Sequence, residues 1–230
     1  MSAAGSDGSA WATVPGGARL QLWPQKAAFD PALGLLLVAD AHLGKAQSFR
    51  RLGVPVPAGT TADGLARLDL LLAATGAARL VFLGDLLHSA RALGPGTLAT
   101  LRAWRERHAR LDITLVRGNH DERAGDPPAV LGVQCVDGPL RLGPWALQHH
   151  PEPVAGAYAL AGHVHPGAVL SGRAHQRLRL PCFHFGERVG VLPAFGAFTG
   201  LHVLPRQAGD RRYAVVDGDE ADGAAAVVAV

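Results

Sequence analysis

The feature that most constrains the fold is a set of short apolar runs, each stopping at polar, reactive side chains. GLLLVAD ends at Asp40, RLVFLGD at Asp85, and ITLVRGNHD at Asn119, His120 and Asp121; WALQHHP ends at His149 and His150, and YALAGHVH at His163 and His165. Such runs, lacking polar alternation, are those of strands buried on both faces. Helical segments separate the first of them. In TTADGLARLDLLLAATG, Thr60 or Thr61 is the expected cap, Leu65, Leu68, Leu71 and Leu72 share a face, and Gly76 is the stop. GTLATLRAWRERHARL puts Leu98, Leu101 and Trp104 or Arg105 at helical spacing, with arginines outward. Strand–helix–strand succession requires crossover connections and an α/β sheet covered on both faces. The last third, RLRLPCFHFGERVGVLPAFGAFTGLHVLP, is β-rich with turn residues between its runs, and predicts a second, more antiparallel sheet.

A chain of 230 residues holds one substantial domain, and no Pro/Gly/Ser-rich linker divides its middle. Hydrophobic residues at 48% and charged residues at 18% fit a globular chain rather than a disordered one. No apolar run approaches a membrane span, which argues against a membrane partner. The start, MSAAGSDGSAWATVPGG, lacks the basic-then-apolar pattern of a secretory signal. Residues 1–17 are expected to form a flexible tail, 18–216 the domain, and 217–230 a mobile or weakly docked end. Cys135 and Cys182 lie outside any Cys-x-x-Cys pattern, against a disulfide framework or zinc knuckle. A reducing cytoplasm is the default compartment. The net charge of +3 permits an anionic partner without demanding one.

In α/β sheets, ligand sites form beyond the carboxyl ends of the strands. Asp40, His42, Asp85, Asn119, His120, His149, His163 and His165 therefore converge there. Each motif alone has an ordinary reading, since Asn, Gly and Asp favour turns. Their shared placement at separate strand ends is what turn preference does not explain. Carboxylates, imidazoles and a carboxamide, with no thiolate, suit Mn²⁺, Fe²⁺ or Zn²⁺. The set is too large for one ion and sufficient for two, with Asp85 as the bridging carboxylate.

In this order, DAHLG, GDLLH, GNHD, QHHP and GHVHP resemble the motif series of the calcineurin-like metallophosphoesterases. DAHLGKAQSFRRLGVPVP, GDLLHS, VRGNHD and LPAFGAFTG are similar, more narrowly, to the bacterial ligase-associated DNA-damage-response endonucleases of the PdeM type. The resemblance implies an α/β four-layer αββα sandwich with two divalent metal ions at the sheet edge, manganese first and iron or zinc also compatible. It implies that Asp40, His42, Asp85 and His165 hold one ion and that Asp85, Asn119, His149 and His163 hold the other. His120 would be the acid near the leaving group, with Asp121 orienting it. His149 is preferred because the family's ligand stands two residues before the proline, while His150 stays open. His88 stands where many relatives have Asp or Asn, as a pocket residue or an outer partner of a ligand. The implied activity is a DNA endonuclease in DNA repair, acting on flexible or single-stranded DNA and associated with a DNA ligase and a helicase.

Lys45, Arg50 and Arg51 lie in the loop expected after His42, and Arg91 and Arg123 follow two other motifs, placements that fit phosphate-backbone contacts. For any one of them a solvated basic face is the ordinary reading. Phe49 is a candidate for stacking on a base. Two other readings remain at this stage. One is a small-molecule phosphodiesterase or nucleotide pyrophosphatase on the same site. The other is a non-enzymatic interaction module, which would need loss of ligands that are all present here.

Overall fold

The computed structural model describes residues 7–51, 53, 55–56, 59–89, 92–171, 177–218 and 225–230. The chain opens with an antiparallel meander, β1 (Ala10–Thr13), β2 (Arg19–Trp23) and β3 (Ala27–Asp30), which pairs onto β4 (Leu35–Val38). Helices α1 (Lys45–Arg51) and α2 (Thr60–Thr75) follow, then β5 (Arg79–Leu83), α3 (Pro95–Arg107), β6 (Asp112–Val116), α4 (Asn119–Ala124) and β7 (Gln134–Val136). Strands β4 to β7 are parallel, and the seven strands form one sheet in chain order. The second sheet contains β8 (Leu140–Leu142), β9 (Trp145–Leu147), β10 (Tyr158–Ala161), β11 (Gly167–Ser171), β12 (Arg177–Phe185), β13 (Val189–Val191), β14 (Arg211–Val216) and β15 (Ala226–Ala229). Its order is β15-β14-β12-β13-β10-β9-β8, with β11 paired to β12 at one side. Strand β10 runs parallel to β9 and β13, and the other pairs are antiparallel.

Alternate residues of β4 and β5 point to opposite faces, and both faces are covered. Leu35, Leu37, Val81 and Leu83 pack with Trp145, Leu147, Leu160 and Phe183 of the second sheet. Leu36, Val38, Leu80 and Phe82 pack with Leu65 and Leu68 of α2 and Leu101 and Trp104 of α3. This double burial is why the runs lack polar alternation, and each buried leucine contributes about 1.5–3 kcal/mol. The buried Trp145 Nε1–H donates to Asp30 Oδ2 at 2.6 Å, pinning β9 to the end of β3. No helix among the described residues is long and apolar enough to cross a membrane.

Four expectations need correction. Residues 10–13 and 226–229, assigned to the tails, are strands; Ala10, Ala12 and Val227 are buried in the core between the sheets, a burial their small residues conceal. Helix α2 is preceded by Gly59 with no side-chain cap, although Gly76 closes it in the left-handed conformation as expected. Lys45 to Arg51 lie on helix α1, not in a loop. Finally, the helices among the described residues all fall between β4 and β7. The second sheet's outer face carries instead a small cluster around Ala168, Leu180, Cys182 and Ala214. The described residues therefore show one helical layer over two sheets, the strands of the second sheet being joined there by loops, turns and other strands rather than by helices.

Candidate metal centre

Asp40 and Asp85 each lie two residues beyond the end of a parallel strand, Asn119 opens α4 after β6, and His149, His163 and His165 follow β9 and β10. The chain turns sharply at these points. Asp40 (φ 51°), His42 (44°), Asp85 (51°), His163 (70°) and His165 (48°) all adopt the left-handed backbone region, shared among described non-glycine residues only by Lys26 and Phe198. Such conformations are costly for side-chain-bearing residues and cluster at functional sites. Two glycines permit the close approach. A Cβ at Gly118 would stand 2.5 Å from Asp85 Oδ1, and one at Gly162 would stand 2.6 Å from Asp40 Oδ2.

The side chains gather into two clusters. In one, His149 Nε2 lies 3.0 Å from Asn119 Oδ1, 3.1 Å from His163 Nδ1 and 3.4 Å from Asp85 Oδ1. Ligand atoms about 2.1 Å from a common ion stand roughly 3.0–3.4 Å apart, so these separations fit shared coordination. His149 Nδ1 lies 3.0 Å from the Leu83 carbonyl, to which its N–H donates, leaving the Nε2 lone pair directed into the cluster. In the other, donor atoms of Asp40, His42 and His165 lie within 4.8 Å of one another. Asp85 turns one oxygen toward each cluster, with Oδ1 near His149 and Oδ2 3.9 Å from His42 Nε2. Burial, reinforced by the nearby Lys45 charge, lowers the His42 pKa to about 2, so its ring is neutral and able to ligate. His163 is likewise held below the usual histidine value, chiefly by burial. Buried carboxylates facing neutral imidazoles form a donor set that fits divalent cations.

His120 stands beside this set. Its backbone N–H donates to Asp85 Oδ1 at 3.0 Å, and its Nδ1 lies 3.0 Å from the His88 carbonyl. Nδ1–H donates there, while Nε2 lies 3.9 Å from Asp85 Oδ2, and His42, His88 and His120 also bring ligand-type atoms within 4.8 Å of one another. The expectation that Asp121 orients this ring is corrected: its carboxylate accepts the N–H groups of Leu86, Leu87 and Gly118 at 3.0, 3.3 and 2.9 Å. Asp121 thus fastens the start of α4 to the loop after β5, and burial pushes its carboxyl pKa up. The His88 ring stacks on His120 at 5.3 Å and meets His42 edge-on at 5.6 Å. His150 is exposed, its ring 4.4 Å from that of His163, while the buried His149 is the one facing Asp85 and Asn119.

The basic residues divide. Lys45 is close enough to Asp40 and Asp85 for their charges to favour its ammonium, although burial lowers its pKa overall. Its amino group lies 5.7 Å from the Phe49 ring centre. Arg50 is exposed on α1 and Arg123 on α4. Arg91 and the side chain of Arg51 lie outside the described residues. Sequence reasoning missed the carbonyls of Leu83 and His88 as anchors of the imidazoles, because backbone groups carry no residue-type signal. It also missed Phe195 and Gly196, whose N–H groups donate to the carbonyls of Ala39 and Asp40 and hold the end of β4 in place.

These features define a mixed α/β protein whose strand ends gather a site rich in histidine and carboxylate. No protein-family model and no curated protein matches the chain. Among solved structures, the crystal structure of Pseudomonas putida nuclease MPE is similar, with 47% sequence identity and a TM-score of 0.79 over 90% of this chain and 96% of that one. At that identity over nearly the whole of both chains, this protein belongs to the family of that nuclease.

Proposed function

We propose that the chain is a dimetal-dependent phosphodiesterase of the calcineurin-like class, cleaving DNA endonucleolytically in repair. The observation that carries this reading is Asp85, whose Oδ1 lies 3.4 Å from His149 Nε2 while its Oδ2 lies 3.9 Å from His42 Nε2. Membership in a nuclease's family supports a nucleic-acid substrate. Asp40, His42, Asp85 and His165 would hold one cation, and Asp85, Asn119, His149 and His163 the other, with manganese the first choice. Bound there, two divalent cations supply a nucleophile at neutral pH by acidifying water, and offset charge on the phosphate. The protein's own groups do the rest. The Leu83 carbonyl fixes the His149 ring, and Lys45 adds positive charge beside Asp40 and Asp85. His120, held through Nδ1, presents Nε2 to protonate the leaving oxygen. The association with a DNA ligase and a helicase, the cytoplasmic location and the preference for single strands belong to this proposal through the motif resemblance.

The test is incubation of the manganese-loaded protein with circular single-stranded DNA, circular duplex and a small diester, beside Asp85→Ala. Linearisation of the single-stranded circle, lost with both metals in Asp85→Ala, is expected. Hydrolysis of the small diester alone would reduce the reading to a small-molecule phosphodiesterase. Two tightly held ions in Asp85→Ala would remove the bridging role.

A further inference from the structure

A cleft of about 460 Å³ opens on the second sheet between the loop after β9, the β12–β13 turn and the segment before β14. Two of its lining residues come from the segments that carry the candidate ligands. Pro151 follows His149 and His150 in the chain, and Val164 stands between His163 and His165. The lining is mostly apolar, with Pro153, Val189, Leu204 and Pro205 completing it.

At one margin lie the buried His184 and Asp210. Arg212 Nε–H donates to His184 Nδ1 at 3.2 Å, which leaves the proton on Nε2, 3.2 Å from Asp210 Oδ2. The Gln207 N–H donates to the same carboxylate oxygen at 2.8 Å. Both ring nitrogens of His184 are therefore committed, and burial holds its pKa below the usual histidine value. This relay is suited to bracing a wall rather than to catalysis. It fastens the segment at Gln207 and Asp210 to β12, so the cleft is already formed. Arg188 is exposed beside the exposed Glu187, so the opening is not a concentrated phosphate site.

An apolar, preformed recess of this volume with few polar groups is the kind that takes a flat organic ring. Proline and valine side chains offer such a ring van der Waals contact, and a base inside a duplex is already stacked and paired. We propose that this cleft receives an unpaired nucleobase from the strand whose phosphate lies at the metal centre. The proposal rests on the reading of the chain as a DNA phosphodiesterase, and deepens it by assigning the single-strand preference to a particular surface.

The experiment uses the full chain loaded with manganese and three substrates. These are a single-stranded trinucleotide, the same trinucleotide made abasic at one nucleoside at a time, and bis(p-nitrophenyl) phosphate. Removing the base that enters the cleft is expected to lower kcat/KM by about 5- to 30-fold, the effect of taking about 40–80 Å² of apolar ring surface out of water. Leu204→Trp and Pro153→Trp fill the cleft from different segments, and either is expected to bring that ratio close to one. Diester hydrolysis by each variant reports whether its metal centre is intact. Equal turnover of base-bearing and abasic substrates by the wild type would overturn the proposal, as would an unchanged ratio in both tryptophan variants. Wild-type protein that hydrolyses the diester but not the trinucleotides would overturn the DNA reading and this cleft assignment with it.

Discussion

At the scale of single residues, three neighbours in one short turn face three different partners. Asn119 faces His149, Asp121 is spent on backbone N–H groups, and His120 between them turns Nδ1 to the His88 carbonyl. Under the proposed function, His120→Ala is expected to retain two metals while losing about a hundred- to ten-thousand-fold in DNA cleavage, the usual worth of general acid help. On a nitrophenyl diester the loss should be far smaller, because that oxygen departs as a stable anion. His163→Ala removes a donor atom 3.1 Å from His149 Nε2 and should fail on both substrates. Turnover of both variants on both substrates, with metal content measured, makes the comparison. A uniform loss for His120→Ala with both metals present would leave phosphate orientation as its role. The residues that gather at the site were legible in sequence because they stand where apolar runs end. The partner of His120 was not, because Asp121 is adjacent in the chain yet its carboxylate is held by Leu86, Leu87 and Gly118.

At the scale of elements, legibility followed burial. Strands β4, β5 and β6 and helix α2 announce themselves because their apolar residues meet two layers or one broad face. Strand β1, reading AWAT, and β15, reading AVVA, are short edge strands whose pairing is decided by distant neighbours. Helix α1 has no acidic residue in its first turn to mark its start. One half-buried charge was equally invisible. Lys26 sits in the β2–β3 turn at φ 64°, and burial, with Arg67 of α2 nearby, lowers its pKa to about 8 from 10.5, against the attraction of Asp217. Below the folded value Lys26 is charged in both states, and the cost of burying that charge is fully present. Between the two values the unfolded chain binds more protons, so stability contributed at this position rises with pH. Lys26→Met should thus be more stable than wild type near pH 7, by a margin that shrinks near pH 10. Urea midpoints at the two pH values test this, and a margin independent of pH would show that Lys26 carries no such penalty.

At the scale of the whole molecule, the candidate site is also the seam between the sheets. Asp40, His42, Asp85 and Asn119 come from the loops of the first sheet, and His149, His163 and His165 from those of the second. In the unfolded chain these side chains are scattered from residue 40 to residue 165, so under the proposed function a cation would bind the folded state far better. Ligand binding of that kind stabilises by about 2.7 kcal/mol at a hundredfold excess over Kd. For a domain of this size each kcal/mol moves Tm by about 2–4 °C, so a rise of roughly 5–10 °C is expected when manganese is added to chelator-treated protein. Asp85→Ala touches both clusters at once and should abolish most of that rise, although its buried carboxylate is only one of seven proposed ligands. Asn119→Ala removes a donor from one cluster alone and should keep part of it. Thermal melts of the three proteins across a manganese titration decide the matter. An equal rise in wild type and Asp85→Ala would mean that the ions bind elsewhere on the surface, and that the two sheets are joined by their apolar core without help from the site.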